Sequence, residues 1–140
     1  MKSIRELEKR IGYTFNNISL LETAVTHSSF ANESRGRAEC YERLEFVGDS
    51  VLGFVTADFL YKRQPQLSEG SMTKTRSELV CEVSLHKIAE ELGLGEYMRL
   101  GHGENNSGGR TRPSILADMV ESVIAAIYLD GGMENAKRFI

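Results

Sequence analysis

The 140-residue sequence contains no tryptophan, two prolines and two cysteines. Cys40 and Cys81 are far apart and lack a CxxC partner, which excludes a disulfide framework and a cysteine zinc site and predicts buried, reduced thiols within helical segments. No apolar run approaches the roughly 20 residues of a membrane span. We therefore expect a cytoplasmic protein. A net charge of −3 also gives no basic footprint typical of nucleic-acid binders.

Strand-like alternation is also absent, since apolar residues recur at helical spacing between glycine-rich or serine-rich joints. Ser3 with Glu6 predicts a capping box for a first helix that ends near Gly12. Ser19 with Glu22 predicts a second box and a second short helix. With 41% hydrophobic residues, the chain can bury one core. The sequence predicts a single all-α domain over residues 1–140.

The segment from about Cys40 to Arg63 predicts a central helix. One of its faces carries Leu44, Val47, Val51 and Val55, and Phe46, Phe54 and Phe59 point in other directions. Because a helix that is apolar nearly all round is usually buried on every side, we expect this helix to form the middle of the core.

The second half of the chain predicts further helices. Two follow Pro65, the second ending at Gly93, and a polar, glycine-rich loop spans residues 100–112. Pro113 stands at a favoured first-turn position for a core helix that ends at Gly131 and Gly132. A last helix runs to Ile140 without a capping signal, as if the chain were one domain of a longer protein.

Two pairs of acids lie within the predicted core helices. Glu45 and Asp49 are spaced i,i+4, and Asp118 and Glu121 are spaced i,i+3, so each pair shares a helix face. Unpaired carboxylates among apolar side chains are costly, and neither helix supplies matching basic residues. Carboxylate oxygens suit Mg²⁺. Spacing alone nevertheless favours the simpler interpretation as solvated surface charges.

The segment ERLEFVGDSVLG, residues 42–53, resembles the signature of the ribonuclease III family almost residue for residue. Three further segments resemble family segments in family order: THSSFANE at residues 26–33, LSEGSMTKTRSELV before Cys81, and SGGRTRPSILADMVES at residues 107–122. The chain is therefore identified as similar to a ribonuclease III endonuclease domain over its whole length.

This resemblance implies a set of functional residues. The metal-binding acids would be Glu45, Asp49, Asp118 and Glu121, with Asp49 and Glu121 as the catalytic residues and Mg²⁺ as the cofactor, for which Mn²⁺ can substitute. Phe46, on the signature helix, would lie at the interface of a homodimer.

The resemblance and the loop composition also suggest residues near RNA. Glu42 and Glu69 correspond to an acidic side cluster that handles RNA or metal indirectly, although surface glutamates are the simpler interpretation. Arg110 and Arg112 could contact the RNA backbone, because such contacts use arginines on flexible loops, but solvated loop charges are an equal possibility.

The implied function is hydrolysis of double-stranded RNA, in ribosomal and messenger RNA processing, by a two-metal mechanism that leaves 5′ phosphate and 3′ hydroxyl ends. Pro113 departs from the family pattern, since an acidic residue is common there. The family's C-terminal double-stranded-RNA-binding domain is also missing from this sequence, which suggests an excised domain or a minimal variant.

Other function classes fit the sequence less well. A silent RNA-binding or scaffold member of the same fold would not need all four acids. Gly48-Asp49-Ser50 resembles the nucleophile block of serine esterases, with His102 as a base, but this block lies mid-helix. No nucleotide cofactor is expected, because the P-loop pattern is missing. His27 and His86 lack metal-ligand spacing, as does His102, so capping or surface roles suffice for all three.

Overall fold

A computed structural model describes residues 3–36 and 38–140 of the chain. The described residues form nine α-helices and no strand, apart from an isolated bridge between Thr26 and Arg99. The all-α prediction is therefore confirmed. In chain order the helices are α1 (Ile4–Ile11), α2 (Ser19–Ala24), α3 (Ser28–Glu33), α4 (Glu42–Arg63), α5 (Glu69–Leu79), α6 (Glu82–Leu92), α7 (His102–Asn106), α8 (Pro113–Gly131) and α9 (Met133–Phe139).

Helix α8 is the centre of the fold. Pro113 occupies its first turn and Gly132 caps its end, as the sequence predicts. It packs against α2, α4, α6 and α9. Most of its side chains are buried, in an almost continuous run from Ile115 to Ile127. A helix apolar nearly all round needs neighbours on every side, and α8 has them.

Helix α4 is buried on one side only, so the prediction that it is buried all round is wrong for a single chain. Val51 and Val55 lie in the core, whereas Phe46, Phe54 and Phe59 are 78%, 60% and 50% exposed. The periodicity of α4 reports apolar character on several faces, but it does not say which faces this chain itself covers.

The helix ends confirm Ser3 as a cap, but neither predicted capping box is formed among the described residues. Ser3 caps α1 by accepting from the backbone N–H of Arg5 at 3.3 Å instead of from that of Glu6, and Gly12 closes the helix in the left-handed conformation. Ser19, in contrast, is already the first residue of α2, and it makes no capping bond. Asn17 instead accepts hydrogen bonds from the Ser19 backbone N–H at 3.2 Å and from its hydroxyl at 2.6 Å.

Two local predictions also need correction. Residues 100–112 are not a plain loop, since they contain α7 and a turn of 3₁₀ helix at Gly109–Thr111. The two cysteines are free as expected, but they are half-buried. Cys40 lies just before α4 and Cys81 caps α6, so both stand at helix junctions instead of inside helices.

The N-terminal segments are attached to α8 at two points. Asp130 accepts hydrogen bonds from the Tyr13 hydroxyl at 2.6 Å and from the backbone of Asn16 and Asn17. Ser122 donates a 2.6 Å hydrogen bond to the carbonyl of Ala24. Within the described ranges, no helix is both long and apolar enough to cross a membrane.

Candidate metal centre

The close crossing of α4 and α8 brings the two acid pairs together. Gly48 is buried at this crossing, and a Cβ atom built on it would lie 1.7 Å from the backbone oxygen of Glu121. Only glycine allows the two backbones to approach so closely. Because Gly48 lies between Glu45 and Asp49, this contact sets their acids opposite Asp118 and Glu121.

Three of the predicted metal ligands form a tight cluster. Carboxylate oxygens of Glu45, Asp118 and Glu121 all lie within 4.8 Å of one another, and each of these side chains is half-buried. Asp49 is more exposed, but its carboxylate is hydrogen-bonded to that of Glu121. The structure thus brings all four sequence-predicted acids to one place.

Burial and mutual repulsion perturb the ionisation of this cluster. Burial, followed by repulsion chiefly from Asp118, raises the pKa of Glu45 to about 7. Burial and the interaction with Asp49 raise the pKa of Glu121 to about 8. Burial also raises the pKa of Asp118 above its ordinary value. The acids thus retain protons at pH values where isolated carboxyls would be fully ionised.

No described lysine or arginine compensates the charge of the cluster. Within residues 3–36 and 38–140, none of the four acids lies within 4 Å of a lysine or arginine nitrogen, although acids elsewhere do, such as Glu8 with Arg5. Convergent, half-buried carboxylates without a basic partner are the donor set of a hard divalent cation. These residues therefore fit a site for such an ion.

The sequence analysis did not identify two other residues near Asp118. Glu82, in the first turn of α6, contributes to the raised pKa of Asp118, and His27 opposes that rise. Neither shares a helix with Asp118, so no spacing rule relates them to it. His27 was expected only to cap or to lie at the surface, and it is the N-cap residue of α3.

The predicted flanking acids lie at different distances from the cluster. Glu42 is exposed at the start of α4, and its charge contributes to the raised pKa of Glu45. Glu69 is exposed in the first turn of α5 and accepts a 3.2 Å hydrogen bond from Thr73. Glu42 is therefore close enough to the cluster for its charge to act on Glu45.

The two loop arginines bind their own chain. Arg110 donates to the carbonyls of Gly95 at 3.0 Å and Met98 at 2.6 Å. Arg112 pairs with Glu104 and also donates to the carbonyl of Ser107 at 3.0 Å. Both guanidinium groups therefore stabilise the conformation of residues 95–112.

An apolar groove lies beside Phe46. Its volume is about 1050 Å³. Its walls combine apolar side chains with polar and charged ones: Leu20, Leu44, Phe46, Val47 and Leu129 beside Glu39, Glu42 and Arg43. Leu129 is 53% exposed. An exposed aromatic side chain next to an apolar groove is typical of a protein interface.

The chain was compared with known proteins. The family model described as Ribonuclease-III-like matches residues 17–140. Ribonuclease 3 of Clostridium acetobutylicum is 55% identical over 137 residues, which cover 98% of this chain and 59% of that protein. Ribonuclease 3 of Listeria innocua is 46% identical, with 100% of this chain and 62% of that protein covered. The chain thus spans about three fifths of the length of these relatives.

A solved structure agrees with these sequence matches. The nuclease domain of ribonuclease III from Campylobacter jejuni superposes with a TM-score of 0.91 at 40% identity, and the match covers 98% of this chain and 92% of that domain. That structure is described as showing structural flexibility in a region involved in dimer formation.

Proposed function

The chain belongs to the ribonuclease-III-like family, and from this premise we propose that it is the nuclease domain of an endoribonuclease that cuts double-stranded RNA. The observation that carries the proposal is the cluster of Glu45, Asp118 and Glu121, without a basic partner among the described residues. We assign residues 1–140 to this domain. A cytoplasmic location is part of the proposal, since RNA precursors are found there.

The four acids would hold divalent cations, with Mg²⁺ as the expected ion and Mn²⁺ as a substitute. Bound cations of this kind supply a hydroxide nucleophile at neutral pH and stabilise the departing 3′ oxygen. The products would then carry 5′ phosphate and 3′ hydroxyl ends. Asp49, hydrogen-bonded to Glu121, would orient that carboxylate. Glu121 must lose its proton before it can bind the ion, so loading is favoured as the pH approaches about 8.

RNA contacts by Glu42, Glu69, Arg110 and Arg112 are part of the proposal. Glu42 has the stronger support of the two acids because its charge acts on Glu45. The arginines donate to carbonyls of their own chain, so their contribution to RNA binding would be to shape the surface of residues 95–112. An acidic cluster repels phosphate until cations neutralise it, so RNA binding should depend on the metal.

A homodimer is the expected assembly, with Phe46 at its interface. Phe46 is 78% exposed and borders the apolar groove, so two copies related by a twofold axis could each place Phe46 in the groove of the other. The alternative is a silent RNA-binding or scaffold member of the fold. The four acids favour the enzyme, because a scaffold has no need for an unpaired acidic cluster.

The experiment is incubation of the chain with a long RNA duplex at low salt, with and without Mg²⁺, beside an Asp118→Asn variant. We expect Mg²⁺-dependent products with 5′ phosphates, and a rate at least about 100-fold lower for the variant. Asp58→Asn is the matched control, because Asp58 lies on another part of α4, where it pairs with Lys62 of the same helix and Lys137 of α9. The Asp58→Asn variant should cleave RNA at the wild-type rate. Cleavage by Asp118→Asn at the wild-type rate would overturn the site assignment, and RNA binding without cleavage by wild type would support the scaffold.

A further inference from the structure

The groove beside Phe46 carries charged side chains of both signs. Glu39, Glu42 and Arg43 line it together with the apolar residues, and all three are exposed. Glu42 and Arg43 begin helix α4, whereas Glu39 lies in the segment just before this helix. The groove therefore presents ionised groups beside an apolar surface.

Two of these three charges have no ionic partner among the described residues. Arg43 makes no ion pair with a described carboxylate, and Glu39 makes none with a described lysine or arginine. Glu42 differs, because it accepts a hydrogen bond from the Cys40 thiol at 3.3 Å and its charge acts on Glu45. One cation and one anion of the groove are therefore available to a second molecule.

Arg43 lies on the same face of α4 as Phe46. The two residues are spaced i,i+3, so their side chains are neighbours one turn apart. Phe46 is 78% exposed and is the residue that would enter the groove of a second copy. When it does so, Arg43 approaches the groove that Glu39 of the second copy lines. A twofold axis repeats this approach, so each copy supplies one cation and one anion.

The charges of the groove favour a second copy of the chain over other occupants. A nucleic acid would bring its phosphates against Glu39 and Glu42, and a strongly basic partner would repel Arg43. A surface shared by two identical molecules must complement itself, and a surface with both signs of charge beside an exposed aromatic side chain can do so. The second copy is therefore the occupant that matches the whole groove.

We propose that Arg43 determines the specificity of self-association: in a dimer, the guanidinium of each Arg43 forms an ion pair with the Glu39 carboxylate of the other copy, while Phe46 enters the groove. The inference rests on the homodimer of the proposed function, to which it adds a rule for partner choice. Ion pairs at an interface fix the register of two molecules and exclude unsuitable partners, because like charges brought together are costly.

A charge swap tests this pairing. Arg43→Glu alone would set two acids against each other on both sides of the twofold axis, and Glu39→Arg alone would do the same with two arginines. We expect each variant to dimerise at least about 10-fold more weakly than wild type in equilibrium sedimentation. An equimolar mixture should recover a heterodimer of wild-type affinity, because every contact between these two positions then joins opposite charges. Arg138→Glu, which reverses an exposed arginine of α9 outside the groove lining, is the matched control and should dimerise like wild type.

The outcomes separate this inference from the homodimer itself. A dimeric wild type with an equally dimeric Arg43→Glu variant would overturn the inference and leave the homodimer intact. Two weakened variants that do not recover on mixing would also overturn it, since a charge pair within one chain cannot be restored by another chain. Wild type that stays monomeric at every concentration would overturn the homodimer and the inference together.

A second variant keeps the test decisive if Glu39→Arg does not fold. Arg43→Gln removes the charge without reversing it, so we expect its dimerisation to depend less on salt concentration than that of wild type. An equal salt dependence of the two proteins would contradict the pairing.

Discussion

At the scale of residues, Glu45 and Glu121 link stability to pH. Their folded-state pKa values of about 7 and 8 exceed the ordinary value of 4.5. From the ordinary pKa up to the folded-state pKa values, the folded chain therefore holds more protons than the unfolded chain. This contribution to stability is full at low pH and is lost as the pH rises through 7 and 8. One pKa unit corresponds to about 1.4 kcal/mol. The repulsion between the two carboxylates belongs to the pair and must be counted once. With a chelator present to remove metal, we therefore expect the unfolding free energy to fall by a total on the order of 3 kcal/mol.

Urea unfolding at pH 5, 6.5 and 8 measures this slope. Glu121→Gln should flatten it, and Glu134→Gln, which changes an exposed acid on α9, should not. An unfolding free energy that rises between pH 5 and pH 8 in the chelated wild type, but not in Glu121→Gln, would show that the carboxyl pKa values are lowered instead of raised.

The same carboxylates make stability depend on metal. At pH 8 Glu45 is mostly ionised and Glu121 is about half ionised, and cation binding displaces the remaining proton. Addition of Mg²⁺ should therefore restore the lost stability, by about 2.7 kcal/mol at 100 times the dissociation constant. Thermal melting with and without Mg²⁺ checks this, with Glu121→Gln expected to respond much less. A wild-type melting temperature that does not respond to Mg²⁺ or Mn²⁺ would contradict a metal site at these acids.

At the scale of elements, the contact of Gly48 with Glu121 controls the crossing of α4 and α8. Gly48→Ala would set its Cβ against the Glu121 backbone, so the helices must separate. We expect a loss of about 3 kcal/mol or more of unfolding free energy and weaker Mn²⁺ binding. Gly70→Ala, where a Cβ meets nothing within 4 Å in an exposed turn of α5, is the control and should be nearly neutral. Equal stability of the two variants would contradict the close crossing.

Much of the helical structure could be predicted from local signals. Ser3, Gly12, Gly93 and Pro113 mark helix ends through caps that depend only on neighbouring residues. Ser19 misled the prediction because Asn17, two residues earlier, competes for the same hydrogen bonds. Local chemistry predicts that a helix starts nearby, but it does not decide which of two polar side chains makes the bonds.

The parts of the site differ in how far sequence could reveal them. Helical spacing predicted that Glu45 shares a helix face with Asp49, and Asp118 with Glu121. The family resemblance then predicted that the two pairs form one metal site. The charges of Glu82 and His27 affect the pKa of Asp118 from other segments of the chain, so only tertiary packing reveals these two residues. The burial of α4 was overestimated for a related reason, since apolar periodicity does not distinguish the core from a surface such as the one around Phe46.

At the scale of the whole molecule, the exposed apolar face of α4 makes a testable prediction about assembly. We expect Phe46→Ala to shift the chain from dimer towards monomer in equilibrium sedimentation, because a large aromatic side chain at an interface centre carries much of the binding energy. Phe59→Ala is the control, since Phe59 is also exposed on α4 but packs beside Arg63 of its own chain. A Phe46→Ala variant as dimeric as wild type would place the interface elsewhere.

The central claim is that the acids at the α4–α8 crossing hold a divalent cation. Titration of Mn²⁺ at pH 8, with free Mn²⁺ followed by electron paramagnetic resonance, tests it most directly in wild type and Glu121→Gln. We predict saturable binding by wild type, and affinity reduced by about 10-fold or more in the variant. Absence of binding in wild type, or equal affinity in both proteins, would contradict the account.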